Sequence, residues 1–390
     1  MLRRSLWTKE INVTKSSSKK RLVLVGGGHV HLLSLKSTGQ FIRAGAEVTL
    51  IGPDRFHYYS GMGPGMISRI YRPEEVRFDV QSMVESRGGK FIKGRVVSFD
   101  PADRKLFLQG GGEISYDLAS FNIGSHIPTD RIPGAEGEGI PVKPIQNLES
   151  AREAILAKSR EGTAKVLIIG AGPAGVELAG NIWRFGQSEN VRAEITLASS
   201  RARVLPGFPE RASRIAQQSL SGRGVKILSD FRVVSMTHGI AHSQSGQEAS
   251  YDVAILTVGI VPQPIFADSG VESSEDGALL VNDYLQSTSN PDIFGAGDCI
   301  ALKGKRLDRV GVYAVREAPI LFRNLLATVK GEPLKAFKPQ ERYLLIFNLG
   351  DGSGLFVRGS WIWKGRLAFA FKNYLDTSFM AKFQVSGEKG

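Results

Sequence analysis

A single cysteine, Cys299, stands among the 390 residues, which excludes an intrachain disulfide and any mechanism built on a pair of thiols. Such sparse cysteine fits a reducing compartment, and a cytoplasmic location is expected. The six histidines are scattered without ligand spacing, so no metal site is expected. No apolar run approaches the roughly 18 residues that span a bilayer, and the N-terminus lacks the apolar core of a secretory signal. A net charge of +12 comes with no nucleic-acid motif, so no nucleic acid is expected as a partner.

Half of that charge lies in one place. In residues 1–21, Arg3, Arg4, Lys9, Lys15, Lys19, Lys20 and Arg21 face only Glu10, and with Ser16, Ser17 and Ser18 the segment 1–20 reads as a flexible basic arm. The arm is either a solubilising tail or a docking element for an acidic partner or anionic lipid.

Two glycine-rich turns dominate the rest. RLVLVGGGHVH sets the apolar run Leu22–Val25 before Gly26, Gly27 and Gly28. KVLIIGAGPAGVELAG sets Val166–Ile169 before Gly170, Gly172 and Gly175 at full G-x-G-x-x-G spacing. The first glycine of such a turn permits the sharp strand-to-helix reversal. The second admits a pyrophosphate against bare backbone, and the third lets helix and strand pack closely. The phosphates then meet unpaired N–H groups at the helix N-terminus. In the first turn His31 replaces the third glycine, either as a helix-start residue without chemical role or as part of the site.

The flanking pattern repeats. Strand, turn, helix (31–44) and strand (47–51) are followed by hairpin-like runs at 90–100 and 105–108 and a buried strand at 118–123. A proline- and glycine-rich stretch, 129–146, reads as a linker before a helix at 148–158. The second turn repeats the order: helix 175–185, strand 194–198, helix 210–220, hairpin region 225–242, strand 254–258. Two dinucleotide units in one chain are the apparatus of hydride transfer between cofactors. IFGAGDC (293–299), a helix over 314–328 and a separate piece from about 340 complete the chain.

Taken in order, Gly26–Gly28, Gly170–Gly175, the strand-ending segments NIGS (122–125) and TVGIVP (257–262), and Gly297–Asp298 make residues 21–330 resemble the FAD-dependent pyridine nucleotide-disulfide oxidoreductases. Within them the chain is similar to type II NADH dehydrogenases. GGGHVH, YSGMGPGMI (59–67), VYAVREAPILFRNL (312–325) and LDTSFMAKF (375–383) look most like the flavoprotein module fused to some selenide, water dikinases. The resemblance implies an α/β fold with an FAD-binding domain (21–155 and 284–335), an inserted NAD(P)H-binding domain (156–283) and a small C-terminal region (336–390).

It also implies roles. Gly26, Gly28 and His29 would border the FAD pyrophosphate, and Ser60, Gly61 and Gly124 the flavin. Gly297 and Asp298 would hold the ribityl chain. The helix start at Tyr313 and Ala314 would face the flavin's pyrimidine edge. Gly170, Gly172, Ala174, Gly175 and Gly259 would hold NADH or NADPH. Glu177 would sit at the contact between nicotinamide and flavin as the catalytic carboxylate, the alternative being a surface acid on its helix.

Two departures matter. The acid expected some 20 residues past each turn is absent. The first strand ends LIGPD, with Gly52 there and Asp54 nearby, and the second runs TLASSRAR, with Ser199, Ser200 and Arg201. Gaining arginine admits a 2′-phosphate, so NADPH and NADH both stay open. The second departure is VYAVREAP, where Arg316 and Glu317 occupy the segment that carries a glutamine in type II enzymes.

The resemblance implies quinone as acceptor. The alternatives are a soluble reductase serving a protein or a selenium or sulfur compound, or a non-turnover NAD(P)H sensor. At the C-terminus Leu367, Phe371, Leu375, Phe379 and Phe383 recur every fourth residue beside Met380, flanked by Lys364, Arg366, Lys372 and Lys382. A helix so patterned either lies on the cytoplasmic face of a membrane and feeds quinone inward, or packs on the protein's own core or on a homodimer mate.

Overall fold

The computed structural model describes residues 19–388, and most of the basic arm falls outside them. Strand β1 (Lys20–Val25) leads through the first turn into helices α1 (His31–Lys36) and α2 (Thr38–Arg43), then β2 (Ala46–Gly52) and β3 (Lys90–Lys93). The helix expected over 31–44 is broken at Ser37, where the Thr38 hydroxyl donates to Leu35 O at 2.9 Å and competes with the helix ladder. A hairpin sheet of β4 (Val96–Asp100), β5 (Lys105–Leu108) and β6 (Glu113–Ser115) precedes β7 (Leu118–Phe121). The run expected as one hairpin arm at 90–100 therefore divides: β3 joins the main sheet in parallel with β2, and only β4 turns back on β5.

The second unit begins earlier than its linker-like composition suggests. Within 129–146, β8 (Gly139–Pro141) is an edge strand, and Ile132, Ala135 and Val142 are buried in the second core. Apolar side chains at these positions outweigh the turn-forming prolines and glycines around them. Then come α3 (Asn147–Glu161), β9 (Ala164–Ile169), α4 (Pro173–Glu189), β10 (Ala193–Ala198), α5 (Glu210–Ser221) and β11 (Lys226–Leu228). A second hairpin sheet, β12 (Val233–Thr237), β13 (Ile240–Ser243) and β14 (Glu248–Ser250), leads to β15 (Val253–Leu256). As in the first unit, the start of the expected hairpin region is a parallel edge strand, β11 on β10.

The chain returns to the first unit as β16 (Ile293–Gly295) and α6 (Gly311–Lys330). The main sheets are ordered β16-β7-β1-β2-β3 and β8-β15-β9-β10-β11, all parallel. Strands covered on both faces read as unbroken apolar runs, which is why LVLV and VLII were legible. Each sheet has its own core, one around Leu24, Phe121 and Phe294, the other around Leu167, Ile255 and Phe185.

The last segment is not a separate piece. Its sheet of β17 (Leu345–Asn348), β18 (Gly354–Arg358) and β19 (Trp361–Gly365) buries Phe347, Leu355 and Ile362 in the second core. Helix α7 (Arg366–Phe383) ends with Met380 and Phe383 in the first core. The C-terminus thus straps the two units together across the cleft between them.

Candidate functional site

Both glycine turns open on one cavity of about 1970 Å³ above the C-terminal ends of the two sheets. A single small ligand needs roughly 300–1,000 Å³, so the space suits two large ones. At the first turn Gly26 takes φ +88°, and a Cβ on Gly28 would lie 2.3 Å from Asn122 Oδ1. Asn122 knots the turn to the return segment: its Oδ1 accepts from Val30 N at 3.1 Å, and its Nδ2 donates to Ala296 O at 2.7 Å. His31 is fully buried behind the turn, its ring nitrogens 2.6 Å from Gly26 O and 2.8 Å from Ser120 Oγ. The imidazole fills the gap between strand and helix that a third glycine would close, so it supports the turn and is not among the residues lining the cavity.

At the second turn Gly170 takes φ +113°, and a Cβ on Gly175 would sit 1.9 Å from Gly170 O. That approach leaves no side chain at 175 feasible. Gly124, Gly172 and Gly259 line the cavity with no protein atom within 4 Å of where a Cβ would stand. These bare glycines leave the backbone open to close approach by a ligand, and α4 starts there with Pro173 in its first turn.

The return segment meets the first turn. Asp298 Oδ2 accepts from Lys143 Nζ and from Ser125 Oγ, both at 2.8 Å. Burial works against the Asp298 charge, but Lys143 and Ser125 hold its pKa below the usual carboxylate range. Glu317 accepts the Gly297 N–H at 2.6 Å, and burial lifts its pKa to about 7. Cys299 is buried, with its thiol pushed up to about 12 by burial and placed 3.4 Å from Ala296 O, so no thiolate is on offer. Helix α6 starts at Gly311, earlier than expected. Tyr313 N is already bonded to Val310 O, and its ring turns away to Tyr343 with its hydroxyl on Gln340 O. Gly311, Val312 and Ala314 line the cavity, and Tyr313 does not.

A buried charge cluster closes the other wall. Glu177 Oε1 accepts the Asn348 N–H at 2.6 Å. Burial raises the Glu177 pKa from 4.5 to about 7, opposed by Lys372 and the Asn348 bond. Lys372 Nζ donates to Gly61 O and to Asp376 Oδ2, each at 2.7 Å, and Tyr59 donates its hydroxyl to Asp376 Oδ1 at 3.1 Å. Burial disfavours the Lys372 charge, but Asp376 and Glu177 outweigh it and its pKa is raised. Nearby His29 Nδ1 lies 3.2 Å from His57 Nε2, and desolvation keeps both rings neutral, His29 at about 4.

The cavity therefore gathers Gly26, Gly28, His29, Ser60, Gly61, Gly124, Gly170, Gly172, Ala174, Glu177, Ser199, Gly259, Gly297, Asp298 and Ala314. Gly175 lies behind the wall, and Arg201 borders an adjoining hollow instead. Glu177 is not the surface acid of the alternative reading. Sequence reasoning missed Lys143, Tyr59, His57 and the pair Lys372–Asp376. The last had a signal, opposite charges four apart on one helix. Lys143 had none, lying in the stretch read as linker. Arg316 lines the cavity, whereas Glu317 serves the backbone of the return segment.

Residues 20–318 match the model of the pyridine nucleotide-disulphide oxidoreductase family. The chain is 27% identical to the NADH dehydrogenase-like protein YutJ of Bacillus subtilis, over 73% of this chain and 77% of that protein. It is 24% identical to the type II NADH:quinone oxidoreductase of Staphylococcus aureus, over 95% and 97%. Among solved structures, NDH2 of Plasmodium falciparum in complex with NADH superposes with TM-score 0.79 at 14% identity, covering 94% of this chain and 98% of that one, a likeness of fold.

Proposed function

The chain belongs to the pyridine nucleotide-disulphide oxidoreductase family, an oxidoreductase using FAD and a nicotinamide dinucleotide, and from that premise we propose that it reduces a quinone at the expense of NAD(P)H. When bound, FAD would supply the two-electron redox chemistry that links nicotinamide donor to acceptor. Gly26, Gly28 and Asp298 would hold it, and Gly170, Gly172 and Gly259 would hold the nicotinamide nucleotide, each from its own turn.

One observation carries the acceptor. An apolar face runs from solvent into the cavity along a single element. Leu367 (78% exposed), Phe371 and Leu375 stand outside with Trp361 (73%) and Trp363, while Leu375 and Phe379 also line the cavity beside Lys372, Asp376 and Glu177. A four-residue step advances the helix by about 400°, so a stripe of that spacing drifts some 40° per step. It therefore winds from the exposed face at Leu367 to the buried face at Phe383. The half ending at Phe383 packs on the protein's own core, and the half around Leu367 is left exposed. Among the described residues no helix is long and apolar enough to cross a membrane. The exposed half suits contact with a membrane interface, from which a lipid-soluble quinone would reach the cavity along the same face.

Reducing a quinone to its quinol takes two electrons and two protons. Glu177, with one oxygen fixed on Asn348 N, holds and releases a proton at the other near neutral pH. Lys372 is locked between Gly61 O and Asp376 and supplies fixed positive charge where negative charge would develop on the acceptor.

The test is anaerobic stopped flow. NADH or NADPH should bleach the flavin, and a short-chain quinone should restore its colour far faster than dioxygen does. Bleaching without reoxidation by quinone would refute the acceptor and favour a protein or a selenium or sulfur compound. Failure of both nucleotides to bleach would leave only the sensor.

A further inference from the structure

We propose that the second dinucleotide site recognises a 2′-phosphate, so that NADPH rather than NADH is the preferred donor; this rests on reading the Gly170–Gly175 turn as the nicotinamide-nucleotide site. In a doubly wound unit the adenosine ribose lies over the end of the second strand. A carboxylate there accepts from the free 2′-hydroxyl and repels a phosphate in its place. Here that strand, β10, ends at Ala198, and Ser199 and Ser200 line the cavity where the acid would stand.

The following loop is pinned to the glycine turn. Ser199 Oγ accepts from Arg201 N at 3.2 Å and donates to Arg203 O at 3.0 Å, and Leu205 N–H donates to Ala171 O at 2.8 Å. Ser199 is 1% exposed, so these bonds are shielded from water and fix where both arginines leave the backbone. Arg201 is exposed and makes no ion pair among the described residues. Arg203 gives Nη2 to Pro206 O at 3.0 Å, while its Nη1 is buried with no acceptor at all. A buried guanidinium N–H without an acceptor is costly and calls for an anion. Both arginines border the hollow they share with Pro206 and Gly207, which adjoins the cavity at Pro206.

The facing loop adds Arg232, which lines the cavity. Its one acid, Asp230, gives its backbone N–H to Arg201 O and pairs with neither arginine. Three unpaired guanidiniums around a carboxylate-free strand end match a dianionic phosphate, and a planar fork takes two of its oxygens at once.

The test compares adenosine 2′,5′-bisphosphate with adenosine 5′-monophosphate by calorimetry on the FAD-loaded protein. The bisphosphate should bind roughly ten-fold or more tightly, with the steeper salt dependence. Arg201→Ala, at an exposed side chain, and Arg203→Ala should each remove most of that advantage. In steady state each should lower the ratio of kcat/KM for NADPH over NADH by about ten- to hundred-fold. Equal binding of the two probes, a preference for NADH, or a ratio unmoved by both substitutions would overturn the inference. Flavin bleached by NADH without any bisphosphate preference sinks this inference and leaves the oxidoreductase reading standing. Bisphosphate preference without bleaching by either nucleotide does the reverse.

Discussion

Replacing Glu177 by Gln should stabilise the protein at high pH and do nothing at low pH. The side chain is largely withdrawn from solvent in the cavity wall, and its pKa rises from 4.5 to about 7, first through desolvation. A carboxyl that titrates higher in the folded state keeps its proton after the unfolded chain has lost it. Stability therefore falls as pH climbs between about 4.5 and 7, and the full loss persists above that window. The shift corresponds to about 3 kcal/mol. Gln keeps the shape and an oxygen for the Asn348 N–H but has nothing to ionise. The measurement is a urea midpoint for wild type and variant at pH 4, 5.5, 7 and 8.5. The two curves should coincide at the acid end and separate by about 3 kcal/mol at the alkaline end. A constant gap, or one that widens toward acid, would refute the account of Glu177 as a carboxyl strained by burial. Under the proposed function the stabilised variant should also be the slower enzyme, with the pH limb near 7 missing from its quinone reaction.

Three further outcomes are expected. Restoring the consensus glycine with His31→Gly should cost roughly 3–5 kcal/mol, because it deletes a fully buried ring and its bonds to Gly26 O and Ser120 Oγ; an unchanged urea midpoint would contradict that role. Gly175→Ala should weaken nicotinamide-nucleotide binding at least ten-fold by calorimetry and leave bound FAD intact, since its Cβ meets Gly170 O at 1.9 Å in the second turn only. Leu367→Ser with Phe371→Ser should abolish flotation with anionic vesicles, removing roughly 3–6 kcal/mol of apolar burial without touching the core. Deleting 364–390 would not serve instead, because it strips Lys372, Asp376, Met380 and Phe383 from the interior.

The two glycine turns and the apolar strands before them were legible in the sequence because their logic is local. A parallel strand buried on both faces must be apolar throughout, and a strand turning sharply onto a phosphate must be glycine. The absence of a cysteine pair was equally plain, and it bounds the chemistry before any coordinate is known.

What tertiary structure alone decided was which distant residues share a wall. Glu177 reads as a helix-surface acid until β17 and α7 fold over it, and Lys372 reads as a basic flank until it meets Gly61 O and Asp376. Lys143 sits in a stretch whose composition says linker, and it reaches Asp298 only because β8 pairs beside β15. The wound stripe on α7 is part exposed face and part core, a division set by helical pitch against a fixed neighbour. Local pattern fixes which elements form. Desolvation and long-range pairing, which no window of sequence contains, set the charges and proton affinities of the site.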